Sequence, residues 1–413
     1  MRVLLIGSGG REHAIAQKIA ESQKLTKFFC FPGNPGIESL AEKAQCDDSI
    51  DSIALWAKEN AIDLIVSGPE TYLVAGLADE AAKFGIPVFG PTKKGAMLEG
   101  SKDFSKQFMK KYNVPTAGFN VFTDYDDAVT FIKSLKKYPT VIKADGLAAG
   151  KGVKIALNEK EALHTLQDYM IDNTLGKSGN KIVIEEFMTG EEMSVFYLTD
   201  GKKFVQLIAA KDYKRAYDND QGDNTGGMGC YAPHNSLTQK LKEKIESDVM
   251  PGIIKGFQNE NFDYRGVLYV GLMLTNEGPK VVEFNCRFGD PETQGIMPLI
   301  DNDLLEIFYQ SATGNLQFNE VQWKNEYAVS VVIASAGYPA QYEKGKKISF
   351  QTSMKDYIHA GTAFMHGEIV TNGGRVLNAV ATAKTKEEAL QKAYKLATQV
   401  SFEGSFYRKD IGS

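Results

Sequence analysis

With 413 residues the chain exceeds one ordinary hydrophobic core, so about two to four domains are expected. Apolar residues make up 43% and charged residues 24%, the balance of a folded globular protein, and a net charge of -5 argues against nucleic acid or an anionic membrane as partner. The four scattered cysteines show no metal-ligand spacing and read as reduced thiols of a cytoplasmic protein. No apolar run approaches the ~18 residues of a membrane span. The start, Arg2–Ile6, enters a strand at once and lacks the pattern of a signal peptide.

Residues 1–100 alternate short apolar strands (Val3–Ile6, Phe28–Phe31, Leu64–Val66, Pro87–Phe89) with helical patterns such as Leu73, Leu77 and Ala81. This alternation predicts a doubly wound parallel sheet with ligands at the C-terminal ends of its strands. The first turn, Gly7-Ser8-Gly9-Gly10-Arg11-Glu12-His13, fails the dinucleotide fingerprint. Glu12 stands where a third glycine is needed, and the second strand ends in Phe31-Pro32-Gly33 without an acid. Gly9, Gly10 and Arg11 are left either as a cradle for one phosphate or carboxylate or as a plain tight turn. Glu70, after Gly68-Pro69, could face the same crevice or be a solvated helix start.

Ser101 can cap a helix carrying Phe104, Phe108 and Tyr112, with Lys102 in its first turn. A cation is disfavoured there by the helix dipole, which hints at an anionic partner, although an exposed lysine is the commoner case. Strand Thr140–Lys143 and strand Val153–Leu157 flank Ala144–Gly152. This stretch is not a P-loop: its glycine spacing is one residue short, no Ser or Thr follows Lys151, and a strand follows instead of a helix. A Gly/Lys-rich loop between two strands reads instead as a flap whose N–H groups and lysines close over phosphates. Glu185-Glu186 end the next apolar strand, at the surface or at a hinge into the following lobe. Residues 211–233 are expected as a long functional loop, 237–259 as a helix, and Val267–Leu274 with Lys280–Asn285 as a hairpin. A helix follows near Asp303–Thr313, and a small α+β cap beyond 326 contains His359 and His366 as packing or surface residues.

The hairpin runs into Val281–Glu292. Period-two alternation puts Glu283, Asn285 and Arg287 on one face and Val282, Phe284, Cys286 and Phe288 on the other. Glu283 and Asn285 offer hard oxygens suited to Mg²⁺, and Arg287 suits a carboxylate or phosphate. An edge strand with a wet face fits those residues equally well.

Taken in order, Gly7–His13, Pro32-Gly33-Asn34, Gly68-Pro69-Glu70, Leu98–Lys102, Ile142–Val153, Asn224–Gly229, Glu283–Thr293, Thr371–Val376 and Arg408–Gly412 resemble the ATP-grasp ligases. Within them the chain is similar to the glycinamide ribonucleotide synthetases, nearly end to end. The resemblance implies an α/β and α+β multidomain fold: an N-terminal doubly wound domain (1–100), an ATP-grasp core (101–123 and 189–325), a mobile lid (124–188) and a C-terminal cap (326–413). It implies ATP-dependent joining of glycine to 5-phosphoribosylamine through a glycyl phosphate, with Mg²⁺ or Mn²⁺, by a monomer or weak homo-oligomer.

By that resemblance Lys102, Lys143 and the Gly146–Gly152 flap, with Gly150 and Lys151, hold ATP phosphates. Glu185, Glu186, Phe187 and Met188 read adenine, Glu192 the ribose, and Glu283 and Asn285 the metal. Arg287, Asp290, Asp212 and Lys214 serve the reacting groups. Gly9, Gly10, Arg11, Glu70, Thr225, Gly226, Gly227 and Met228 hold the substrate. Three departures stand out: no acid on Val270–Met273, Tyr213 in place of the family's histidine, and Asp223 in place of its proline.

Overall fold

The computed structural model describes residues 1–147 and 152–413, and its first unit is a five-stranded parallel sheet. The strand order is Glu42–Lys43, Lys27–Pro32, Arg2–Gly7, Leu64–Ser67, Val88–Phe89. Both faces are covered: Leu4 and Ile6 enter one apolar cluster, Val3 and Leu5 another. Arg2–Gly7 is the point where strand order reverses, so the crevice opens beyond Gly7 and Ser67. The helical pattern Leu73, Leu77, Ala81 is two helices, Glu70–Ala75 and Leu77–Ala82. Gly76 separates them at φ +108, a left-handed conformation that glycine adopts without steric cost.

A four-stranded antiparallel sheet of Phe119–Phe122, Ile182–Glu186, Thr140–Ala144 and Val153–Ala156 forms the lid. Thr140–Ala144 and Val153–Ala156 pair antiparallel as the two expected strands; of the flap expected between them, residues 148–151, with Gly150 and Lys151, lie outside the described residues. The core sheet runs Phe204–Gln206, Glu191–Thr199, Gly266–Thr275, Gly278–Asn285. It shares an apolar cluster with the first sheet, in which Val270 and Phe284 join Leu4, Ile6 and Ile65. The helix expected over 237–259 is instead a pair, Gln239–Asp248 and Met250–Glu260. Pro251 has no N–H to continue the first helix and sits readily at the start of the second.

Residues 211–233 are not an irregular loop. Lys211–Asp212 and Gly229–Ala232 are strands that join Tyr327–Ser335, Arg375–Ala383 and Tyr357–His359 in the C-terminal sheet. Arg215–Tyr217 and Gln221–Asn224 make a hairpin between them. Gly229–Ala232 is buried throughout, so it shows no polar alternation that would mark it as a strand. Among the described residues no helix is long and apolar enough to cross a membrane, and the four cysteines are unpaired.

His359 is fully buried, whereas His366 is exposed. His13, on the first helix (Gly10–Ala20), joins His359 across the domains: its Nδ1 accepts the His359 backbone N–H at 2.7 Å. That bond needs a neutral imidazole. Burial, and next the neighbouring His359, pull the His13 pKa down to about 3. The unfolded chain therefore takes up a proton near pH 6.5 that the folded chain refuses. The contribution is complete above pH 6.5 and falls by up to about 1.4 kcal/mol per pH unit below it. The melting temperature of His13→Asn is expected to depend less on pH between 6.5 and 5 than that of the parent. Equal slopes would remove this role from His13.

Candidate active site

The lid hairpin, the core strand Gly278–Asn285, the first helix and the C-terminal sheet enclose a cleft of about 850 Å³. Its floor is the stretch Val282–Arg287, and a β-bulge there changes the expected alternation. Gly271 pairs with Glu283 while Leu272 pairs with Val281, so Val282 is the extra residue. Val281, not Val282, therefore enters the core with Phe284 and Cys286. Val282 lines the cleft beside Glu283 and Asn285.

Glu283 accepts no hydrogen bond among the described residues. Desolvation would raise its pKa, but Lys214, Lys143, Lys102 and Arg287 outweigh it and hold the carboxyl below its usual range. Asn285 Oδ1 accepts from Arg287 Nη2 at 3.2 Å and keeps a second lone pair. Opposite Glu283 stands Gly271, where a Cβ would lie 3.3 Å from Glu283 Cγ. A free carboxylate and a carboxamide oxygen, with space beside them, fit a hard divalent cation. No cluster of three or more acidic, His or Cys ligands occurs among the described residues. Water and substrate oxygens would complete such a shell.

One wall carries lysines. Asp145, where the flap begins, accepts from Ser101 Oγ at 2.9 Å and from the Asp103 N–H at 3.1 Å. This fastens the end of strand Thr140–Ala144 to the start of the helix Lys102–Lys111 and lets Lys102 Nζ reach the Gly146 carbonyl at 3.0 Å. Desolvation lowers the Lys102 pKa even though Glu283 opposes it. The anion expected opposite Lys102 is thus met in part by the chain itself. Lys106, one turn on, and Lys143 both contact Glu185 at 2.9 Å in a buried triad. Desolvation lowers the Lys106 pKa to about 8.

The opposite wall carries arginines. Arg287 is held by Glu99 at 2.9 Å and Glu70 at 3.4 Å. Arg11 gives Nε to Glu12 at 2.6 Å and Nη1 to the Phe288 carbonyl at 3.0 Å. Arg375 uses Nη1 for Asp290 and for the carbonyls of Gly226 and Asp290. Arg11 Nη2 and Arg375 Nε and Nη2 make no hydrogen bond among the described residues. Between the walls lie Asp212, Lys214, Tyr269 and Glu292. Desolvation would lower the Lys214 pKa, but Asp212, Tyr269, Glu192 and Glu283 together hold it well above its ordinary value. Desolvation, then Asp212, push Glu292 up to about 7.

The cleft thus gathers Lys102, Lys143, Gly146, Gly152, Glu185, Arg11, Glu70, Asp212, Lys214, Thr225, Gly226, Glu283, Asn285, Arg287 and Asp290. Gly9, Gly10, Gly227, Met228, Glu186, Phe187, Met188 and Glu192 are not among its lining residues. For the first glycines the reason is local: the Gly9 N–H donates to Glu12 at 2.7 Å, so the turn carries its own anion. Glu192 is one ion pair away, 3.0 Å from Lys214. Sequence reasoning missed Glu99, Lys106, Tyr269, Glu292, Tyr338 and Arg375. Lys106 had a signal, since it stands four residues after Lys102 on the same helix; Glu99, Glu292 and Arg375 had one too, falling inside the motifs Leu98–Lys102, Glu283–Thr293 and Thr371–Val376.

Three family models cover nearly the whole chain. Phosphoribosylglycinamide synthetase N domain matches residues 1–99, its ATP-grasp (A) domain 100–293, and its C domain 328–413. The chain belongs to the phosphoribosylglycinamide synthetase family. Among curated members, phosphoribosylamine–glycine ligase of Caldanaerobacter subterraneus subsp. tengcongensis is 45% identical, with 100% of both chains covered. The enzyme of that name from Agrobacterium fabrum is 44% identical over 100% of this chain and 98% of its own. The crystal structure of phosphoribosylamine–glycine ligase from Thermotoga maritima matches with TM-score 0.89 at 38% identity, each chain covered in full. Biotin carboxylase of Campylobacter jejuni shares the fold, at TM-score 0.76 and 15% identity over 98% of this chain and 93% of its own. The architecture is therefore that of an ATP-grasp ligase, a class that uses ATP and typically a divalent metal.

Proposed function

We propose that the chain ligates glycine to 5-phosphoribosylamine at the expense of ATP, through a glycyl phosphate, releasing glycinamide ribonucleotide, ADP and phosphate. The full-length match to phosphoribosylamine–glycine ligase at 45% identity carries this reading, and the two-walled cleft supports it. Phosphoryl transfer needs positioning and charge neutralisation more than a covalent nucleophile.

In this reading Lys102 and Lys143, with Gly146, Gly150, Lys151 and Gly152 of the flap, hold the ATP phosphates. Glu185 aims Lys143, the backbone of Glu186, Phe187 and Met188 reads adenine, and Glu192 binds the ribose. Glu283 and Asn285 hold Mg²⁺, or Mn²⁺ in its place. When bound, that ion would offset the charge of the phosphates. Glycine lies near Arg287 and Asp290. The unused N–H groups of Arg11 and Arg375, with Glu70, Thr225 and Gly226, hold the phosphoribosyl group, and Gly9, Gly10, Gly227 and Met228 support it from behind. The attacking amine loses its proton to Asp212, Asp290 or Glu292, with Lys214 adjusting the charge around them. The boundaries 1–100, 101–123 with 189–325, 124–188 and 326–413 divide the chain by these tasks, except that Phe119–Phe122 pairs within the lid sheet and Lys211–Asp212 with Gly229–Ala232 within the C-terminal sheet. It works in the cytoplasm as a monomer or weak homo-oligomer, without nucleic acid or membrane.

ADP release is expected with glycine plus phosphoribosylamine and not with other acid and amine pairs. Absence of glycine-dependent turnover would refute the reading.

A further inference from the structure

Residues Asp212 and Lys214 reach into the cleft, while Tyr213 between them points the other way, into the C-terminal apolar cluster. Its hydroxyl accepts the Gly412 N–H at 2.9 Å and donates to the Ser413 carbonyl at 3.3 Å. The guanidinium of Arg408 lies 5.1 Å from the centre of its ring. Arg408 is 2% exposed, and every donor nitrogen is engaged. Nε and Nη2 each bond Asp410 at 2.7 Å, and Nη1 bonds the Arg215 carbonyl at 3.0 Å and Asp220 at 2.9 Å. Backbone bonds complete the grip: the Asn219 N–H reaches Asp410 at 2.8 Å, and the Lys409 N–H reaches Asp218 at 2.7 Å.

The gripped segment leads straight to the cleft. The Lys214 carbonyl accepts the Thr225 N–H at 2.7 Å and its hydroxyl at 2.8 Å. The Tyr213 carbonyl accepts the Met228 N–H at 2.7 Å. Any shift of Tyr213 therefore moves Asp212, Lys214 and Thr225 together. Among the described residues no hydrogen bond joins residues 212–226 to Lys102, Lys106 or Lys143.

We propose that Arg408–Gly412 is a clasp that positions residues 212–226 for the amine substrate, with Tyr213 and Arg408 as its positioning residues. The proposal rests on the ligase reading above. The clasp's backbone ties stay on the phosphoribosylamine side, and it meets Glu192 only through the solvent-exposed Lys214 ion pair, a weak link, so its loss separates the substrates: the phosphoribosylamine side loosens and the ATP side is little affected.

Tyr213→Phe removes one hydroxyl and keeps the ring under Arg408. Its KM for phosphoribosylamine is expected to rise about three- to tenfold, with KM for ATP unchanged, as loss of one hydrogen bond implies. Amide hydrogen exchange at Thr225 and Met228 is expected to quicken by a similar factor, with the lid amides unaffected. Arg408→Met is expected to show the same split more strongly; should it fail to fold, Tyr213→Phe alone decides. Unchanged exchange and unchanged KM values in Tyr213→Phe would overturn the clasp, and so would an equal rise in both KM values. If the parent shows no glycine-dependent turnover, the ligase reading fails, and the exchange measurement still decides whether the clasp holds residues 212–226.

Discussion

Glu283→Ala is expected to lower kcat/KM by about a thousandfold or more while the protein stays folded. The carboxylate accepts no hydrogen bond among the described residues, so its removal opens no network. What is lost is the one acidic oxygen on the cleft floor that four cations converge on. Charge stabilisation fixed in advance at a transferring phosphoryl group is worth several kcal/mol. Glu283→Gln tests the same point with shape retained, since it keeps an oxygen and loses the charge. Binding of Mn²⁺, followed by its paramagnetic resonance, should weaken in both variants. Near-normal turnover in Glu283→Ala would remove Glu283 from the metal site.

The largest loss of stability is expected from Glu185→Leu. Its side chain and those of Lys106 and Lys143 are 3%, 2% and 7% exposed, so water does not screen them. Removing the shared anion leaves two buried ammonium groups without a counter-charge, a change that costs about 3–5 kcal/mol. Lys106 already has its pKa reduced to about 8 with Glu185 present. Without it Lys106 gives up its proton more readily still, so the loss should be smaller at pH 9 than at pH 7. Urea unfolding at both pH values would read this, and adding Lys106→Met should restore part of the stability. An unchanged unfolding midpoint in Glu185→Leu would mean that the triad contributes nothing.

Much of this was legible in the sequence for physical reasons. Buried parallel strands such as Leu64–Ser67 are apolar runs closed by turn residues, and the Ser101 and Asp303 caps stand just where their helices begin. Glu283 and Asn285 stood out as polar residues closing an apolar run, although a wet edge strand fitted them equally well. What stayed hidden depends on contacts between distant segments. The bulge at Val282 comes from pairing with Gly271, which alternation alone does not encode. Glu12 filling the first turn, Arg375 reaching Asp290, and Gly229–Ala232 crossing to another sheet each need a partner far along the chain. Gly76 and Pro251 each break a helix, but the apolar period runs on through them and hides the break.

The crossing of Gly229–Ala232 has a consequence for how the enzyme is made. Its strand partner is Tyr327–Ser335, so the surroundings of Asp212, Lys214 and Thr225 wait for residues that leave the ribosome much later. The lysine wall and the floor strand are complete by residue 285. On the proposed assignment, the nucleotide side of the cleft is complete in the nascent chain before the surroundings of the amine are. Vectorial synthesis gives the two halves of the reaction separate birthdays, and ligation becomes possible only after the second.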